Sequence, residues 1–157
     1  MEFRIRRAAG KDIPILEELL LQVENVHNAV RPDLFAANAK KYDEEQLKRI
    51  IADDNRPIFV AETDGTVSGY AFCIYVDHKD SNVLTQIKTL YIDDLCVNKA
   101  FRGKGIGKKL YEYVIEFARN NGFYNVTLNV WADNVSAVSF YKKLGMNVQK
   151  IGMETIL

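Results

Sequence analysis

A chain of 157 residues, 48% hydrophobic and with only 3 prolines, suits one domain with a real core rather than two. Its 21 basic and 21 acidic residues cancel, which argues against nucleic acid or an anionic membrane surface as partner. No run approaches the ~20 apolar residues of a membrane span, no N-terminal stretch reads as a signal peptide, and Cys73 and Cys96 sit in apolar runs as buried free thiols. A cytoplasmic protein is expected.

Phe3 to Arg7 reads as a first strand. Asp12 is placed to cap a helix with Pro14 in its first turn, and Ile13, Leu16, Leu19, Leu20 and Val23 follow at helical spacing. "NAVRPDLF", Asn28 to Phe35, breaks that helix at Pro32. A second helix is predicted from Asp43 to Ala52. "IFVAETDGTVSGYAFCIYV" is a hairpin about Asp64-Gly65. After the polar "DHKDSN", the strand "KTLYIDDLCV" runs into "FRGKGIGKKL". Ile106, Leu110, Tyr113, Val114 and Phe117 mark a helix that Gly122 stops. "NVTLNVW" is a strand. Asn134 caps a short helix through Leu144, ended by Gly145, and "MNVQKIGMETIL" is expected to close the sheet. Alternating strands and helices with an intruding hairpin predict the α/β (α+β) class: one domain over residues 1–157, a mixed sheet flanked by helices. The apolar closing strand at a sheet edge predicts a homodimer with that strand near the interface.

Three glycines, Gly103, Gly105 and Gly107, occupy every second position among Arg102, Lys104, Lys108 and Lys109. Neither familiar phosphate loop fits. G-x-G-x-x-G fails because Lys108 stands at the third glycine, and the P-loop fails because Lys109 replaces its Ser/Thr. The physics is nonetheless that of an anion seat. A strand enters a glycine turn that opens a helix, where free N–H groups meet the positive end of the helix dipole. The competing reading is a plain strand-to-helix turn with a solvated basic face.

From Lys88 to Met146 the chain resembles the GCN5-related N-acetyltransferase (GNAT) superfamily. "RGKGIG", Arg102 to Gly107, matches its Q/R-x-x-G-x-G/A motif after a strand ending "DDLCV". "NVSAVSFYKKLGM" is similar to its second signature, an Asn, a small residue and an aromatic-Tyr pair before a Leu-Gly turn. The resemblance implies a mostly antiparallel sheet whose fourth and fifth strands splay apart, and transfer of an acetyl group from acetyl-CoA to a primary amine. It also implies the cofactor contacts. Arg102, Gly103, Lys104, Gly105, Ile106, Gly107 and Lys108 would seat the pyrophosphate, mostly by main chain. Leu95, Cys96 and Val97 would offer backbone groups to the pantetheine arm, and Asn134, Ala137 and Tyr141 would complete the site.

The chemistry calls for two proton movements, from the attacking ammonium and toward the departing thiolate. Tyr141 occupies the family's tyrosine position and is the candidate acid; packing beside Phe140 is its structural alternative. The base is sought in Asp93 and Asp94, adjacent on one strand and so expected on opposite faces. "LYIDDLCV" is similar to the diamine acetyltransferases, which favours Asp93 as base, through water, with Asp94 toward the acceptor; a strand bulge or a solvated face is the alternative. Ribosomal-protein N-terminal acetyltransferases place a glutamate where Asn129 stands here, and an amide is no base. His27, Arg31, Asp33 and Phe35 link the first two helices, where the fold often walls the acceptor. Trp131 and Tyr91 either line that pocket or fill core. A small amine, polyamine or peptide acceptor fits the balanced charge. A non-catalytic acyl-CoA sensor and a nucleotide-binding domain are the other readings. Retention of Tyr141 with an acidic pair speaks against the first, and the failed P-loop against the second.

Overall fold

The computed structural model describes all of residues 1–157. Strands β1 (Phe3–Arg7), β2 (Ile58–Thr63), β3 (Thr66–Val76), β4 (Thr89–Val97) and β5 (Asn125–Leu128) form one sheet in chain order. The first four pair antiparallel; β4 and β5 pair parallel. Helices α1 (Ile13–Val30), α2 (Glu44–Ile51), α3 (Ile106–Asn120) and α4 (Val135–Lys143) flank the sheet.

Alternation along the strands builds two cores. Ile58, Val60, Tyr70 and Phe72 face Leu16, Leu19 and Leu20 of α1 and Leu47 and Ile50 of α2. Phe59, Ala61, Ala71 and Cys73 face Ile106, Leu110 and Val114 of α3. The β2–β3 hairpin turns through Asp64 (φ 50°) and Gly65 (φ 80°), the paired left-handed residues that suit a two-residue turn between twisted strands. Gly69 has a packing role that its place in an apolar run does not advertise: a Cβ there would lie 2.7 Å from the Cys96 carbonyl oxygen. Asp43 caps α2 by accepting from the Gln46 N–H, and Gln46 returns the bond in a capping box.

Three expectations need correction. Asp12 stands before α1 but does not cap it with its side chain. Its carboxylate turns back to accept from Arg6 (2.8 Å to each oxygen) and from the Ala9 N–H, because the chain is already helical at Asp12 (φ −86°, ψ −9°), at the end of the 3-10 turn Gly10–Asp12, whereas a side-chain cap needs an extended residue. Burial alone would raise the Asp12 carboxyl, but these bonds hold it below the usual range. Residues 146–157, expected as a closing strand, form none. Residues 147–157 are exposed throughout and make no backbone–backbone hydrogen bond. Apolar composition proposes a strand, but only a partner edge makes one, and none lies against this segment. The fifth strand likewise ends at Leu128, short of Trp131.

Candidate active site

β4 and β5 stay paired only from Thr89–Asn125 to Ile92–Leu128. At the next residue β4 carries a bulge: Ile92 faces Cys73 and Asp94 faces Phe72, so Asp93 is extra. Beyond it β4 continues to Val97 without β5, and the gap is a cleft of about 540 Å³. Asp93 to Val97 line one wall and Leu128 to Trp131 the other. Asn134, Ala137 and Tyr141 come from α4, and His27 and Phe35 from α1 and the segment after it.

The glycine turn adjoins the cleft at Arg102. Gly103 (φ 79°) and Gly105 (φ 76°) are left-handed, with nothing within 4 Å of where a Cβ would stand. The first helical bond of α3 runs from the Lys109 N–H to the Gly105 carbonyl oxygen. The backbone N–H groups from Arg102 to Lys108 therefore have no acceptor in the chain. Such a nest, at the positive end of a helix, fits a pyrophosphate. The lysines are occupied elsewhere. Lys104 lies over the Phe101 ring, Lys108 approaches Glu112 at 3.8 Å, and Lys109 lies over Phe3. Arg102 lines the cleft. Gly107 also serves packing, since a Cβ would meet the Phe140 ring at 3.1 Å, and the Ile106 side chain is core.

The bulge decides the geometry of the acidic pair. Leu90 and Ile92 pack on the α3 side, and so do Leu95 and Val97 after the extra residue. Simple alternation would have separated Asp93 and Asp94. Instead Asp93 reaches Tyr42, which packs on the α1–α2 core, and Asp94 reaches Tyr70 within that core. Both carboxylates thus lie on one side and line one cleft. Their partners differ. Asp93 accepts from the Tyr42 hydroxyl at 2.6 Å and the Lys41 ammonium at 2.9 Å. Tyr42 in turn accepts from Arg56 and stacks on Phe72. Asp94 has one side-chain partner, the Tyr70 hydroxyl at 2.9 Å, and burial pushes its carboxyl up to about 6.

Tyr141 extends from α4 into the cleft, and no protein group hydrogen-bonds its hydroxyl. Burial first, then the nearby Asp94 charge, holds its pKa well above the ordinary tyrosine value, so the proton stays on at neutral pH. Asn134 caps α4 by accepting from the Ala137 N–H at 3.3 Å. The Cys96 side chain points away, into the α1 core toward the Leu19 carbonyl, and burial pushes its thiol up to about 12; only its backbone can serve the cleft. At the other end His27, Phe35 and Trp131 form an aromatic rim. His27 and Phe35 centroids are 4.9 Å apart, and Phe35 meets Trp131 edge-on at 5.5 Å. Asn129 donates to the Tyr91 hydroxyl at 3.3 Å.

The sequence reading missed Tyr70, Lys41 and Tyr42. Tyr70 looked like one more aromatic in a core strand, and nothing local ties residues 41 and 42 to a strand some fifty positions on. Residues 23–146 match the model of the acetyltransferase (GNAT) family.

This chain belongs to the GNAT acetyltransferase family. An uncharacterized N-acetyltransferase of Methanocaldococcus jannaschii is 30% identical over 122 residues, 76% of this chain and 51% of that protein. Rat N-acetyltransferase 8B is 33% identical over 67% of this chain and 45% of its own length. The chain spans about half the length of the curated relatives it matches. Among solved structures, a variant of the BH1408 protein from Bacillus halodurans superposes with a TM-score of 0.92 at 29% identity, covering 98% of this chain and 99% of that one. An aminoglycoside acetyltransferase from an uncultured soil metagenomic sample, solved with sisomicin, shares the fold at TM-score 0.74 and 24% identity, over 99% and 96% of the two chains. The splayed, mostly antiparallel sheet expected of this GNAT fold is the one observed. No helix is long and apolar enough to cross a membrane.

Proposed function

We propose that this GNAT chain transfers an acetyl group from acetyl-CoA to a primary amine. The observation that carries the reading is one cleft lined by a tyrosine kept protonated and a carboxyl pushed up to about 6, and adjoined at Arg102 by a turn of unpaired N–H groups. Acetyl-CoA, when bound, supplies the acyl group as a thioester. Main-chain N–H groups of Arg102 to Lys108 hold its pyrophosphate, and the unpaired side of β4 at Leu95 to Val97 holds the pantetheine amides like an added strand.

The base we assign is Asp94 rather than Asp93. Asp93 already has both oxygens engaged, one with the Lys41 ammonium and the other with the Tyr42 hydroxyl, whereas Asp94 meets Tyr70 alone. Its role is to fix the segment between α1 and α2 against the cleft. Asp94 is mostly ionised at neutral pH yet basic enough to take a proton from an ammonium, directly or through water. The freed amine attacks the acyl carbon as the carbon–sulfur bond breaks, the Tyr141 hydroxyl gives its proton to the departing sulfur, and its phenolate regains one from the nitrogen, which sheds its second proton to become the amide. Trp131, Phe35 and His27 wall the acceptor. The acceptor class is a primary amine on a small molecule, polyamine or peptide.

Free-thiol release, measured over polyamines, amino acids, aminosugars, aminoglycosides and peptides, tests this. Turnover with at least one amine, lost in Asp94→Asn, is expected. Acetyl-CoA binding by thermal shift without turnover on any amine would instead make the chain an acyl-CoA sensor.

A further inference from the structure

Tyr70 stands where a phenylalanine would fill the same space. β3 is buried from Val67 to Cys73, and Tyr70 is wholly inaccessible in the core it shares with α1 and α2. Its ring meets Phe72 edge-on at 4.8 Å, and Phe72 in turn stacks on Tyr42 at 5.7 Å. A phenol hydroxyl sunk this deep needs a partner. Tyr70 pairs with Cys96 across β3 and β4, and residues two apart on a strand share a face. The hydroxyl therefore reaches back from Cys96 to Asp94 and donates to its Oδ2 at 2.9 Å, while Oδ1 has no side-chain partner. Asp94 lines the cleft together with Glu24 and His27 of α1, Lys41, Asp93 and Tyr141. Burial raises its carboxyl to about 6; the Tyr70 hydroxyl, the Lys41 ammonium and the Leu95 N–H pull it down, and the Asp93 charge pushes it up. Burial first and the Asp94 charge second keep the Cys96 thiol and the Tyr141 hydroxyl protonated.

We infer that Tyr70 is the positioning residue of the base: its hydroxyl fixes Asp94 by Oδ2 and leaves Oδ1 to take the ammonium proton. The inference rests on the assignment of Asp94 as base. In that step an N–H bond of the ammonium breaks, its electron pair stays on nitrogen, and the proton joins Oδ1. Tyr70 keeps its own proton throughout, because burial first and the Asp94 charge second hold it well above the ordinary tyrosine range. The hydroxyl does two things for the base. It stops the carboxylate from turning, so that one oxygen is always aimed at the proton it must take. It also steadies the charged form, so that Asp94 is more ionised at neutral pH than burial alone would allow. Phe72 stands opposite Asp94 at the bulge. Its ring braces both Tyr70 and Tyr42, whose hydroxyls hold Asp94 and Asp93 respectively. One row of three aromatic rings thus fixes both acids from the core side.

The test compares the parent with two variants: Tyr70→Phe, and a chain whose Tyr70 is fluorinated ortho to the hydroxyl. Two readouts are taken. Carboxyl-carbon NMR of labelled aspartate, with the Asp94 signal assigned by its loss in Asp94→Asn, follows the titration in the free chain. The acidic limb of kcat, with acetyl-CoA and the fastest amine of the free-thiol panel, follows it during turnover. Tyr70→Phe should raise both by about one pH unit and lower kcat at pH 7 about tenfold, with the thermal shift by acetyl-CoA unchanged. The fluorinated ring keeps the shape and hydroxyl of the parent but is a stronger donor, so it should lower both by about a few tenths of a unit. It carries the test even if Tyr70→Phe fails to fold. A merely structural hydroxyl would move neither limb. Parent limbs in the variants, beside an inactive Asp94→Asn, would overturn this inference alone. An Asp94→Asn enzyme with the parent's turnover would overturn the base assignment and this inference together.

Discussion

Residues 1–118 and residues 119–157 of this chain are built to different standards. Every buried residue, from Ala8 to Ala118, lies in the first region, and none in the second. In the first, β2 is buried along its whole length, and Leu16, Leu19, Val60 and Tyr70 are inaccessible. In the second, β5 is half-buried, the Phe140 ring of α4 lies against Gly107 of α3, and residues 147–157 are all exposed. The cleft runs along the seam. The glycine turn and Asp94 come from the well-packed region; Tyr141, Asn134 and Trp131 come from the other. A cleft with one wall held by a core and one held by few contacts opens at low cost on the weakly packed side.

The largest effects should cross the seam. Tyr141→Phe keeps the ring and removes the hydroxyl; turnover should fall ~10²-fold or more, with cofactor binding nearly unchanged, if one acid group is worth its usual factor. Asp94→Asn should cost ~10²–10⁴-fold, read from kcat/KM, and the loss should shrink at high pH, where more of the acceptor amine is already neutral. Equal losses at every pH would make Asp94 a positioning residue. Asp93→Asn should loosen the segment at Lys41 and Tyr42 and raise KM for the acceptor more than it lowers kcat. The reverse pattern would return the base to Asp93.

Stability should divide along the same boundary. Leu16→Ala removes a side chain from a closed core, and ~2–5 kcal/mol should be lost in urea unfolding. Val148→Ala, at an exposed position, should change the unfolding of an isolated chain by less than ~0.5 kcal/mol.

Asp94 gives the packed region a pH signature. In the folded chain its carboxyl holds a proton up to about pH 6; in the unfolded chain it loses it near ~4. Between these values the folded state binds more protons, so stability falls as pH rises, by up to about 3 kcal/mol at ~1.4 kcal/mol per unit. Asp94→Asn should therefore be more stable than the parent at pH 7.5 and not at pH 3.5. Urea midpoints at the two pH values check this, and equal differences at both would mean that Asp94 is not held protonated by the fold.

The smallest effect expected is local. Asn134→Ala removes the side-chain cap of α4, and ~1 kcal/mol should be lost. If α4 opens as a unit with the second region, its amide exchange should quicken while that of α1 does not change.

Much of this was legible in the sequence because the signals are local. Helical spacing marked α1 and α3. Asp64-Gly65 marked the hairpin, "RGKGIG" the glycine turn into α3, and Asn134 and Gly145 the limits of α4; each rests on residues within a turn or two of one another. What escaped was set by distant partners. Asp12 reads as a cap until Arg6 of β1 is placed beside it. Asp93 and Asp94 read as opposite-facing until the pairing of β4 with β3 shows one residue too many. That bulge, not the acidic pair alone, turns both carboxylates to one side and leaves Asp94 with Tyr70 and Asp93 with Lys41 and Tyr42. The sequence by itself determined most of the elements, the family and the glycine turn that opens α3, because propensity, periodicity and turn chemistry act over a few residues. The tertiary structure decided which partners each acid meets and whether the last segment is a strand, because burial and edge pairing depend on chain that lies far away in the sequence.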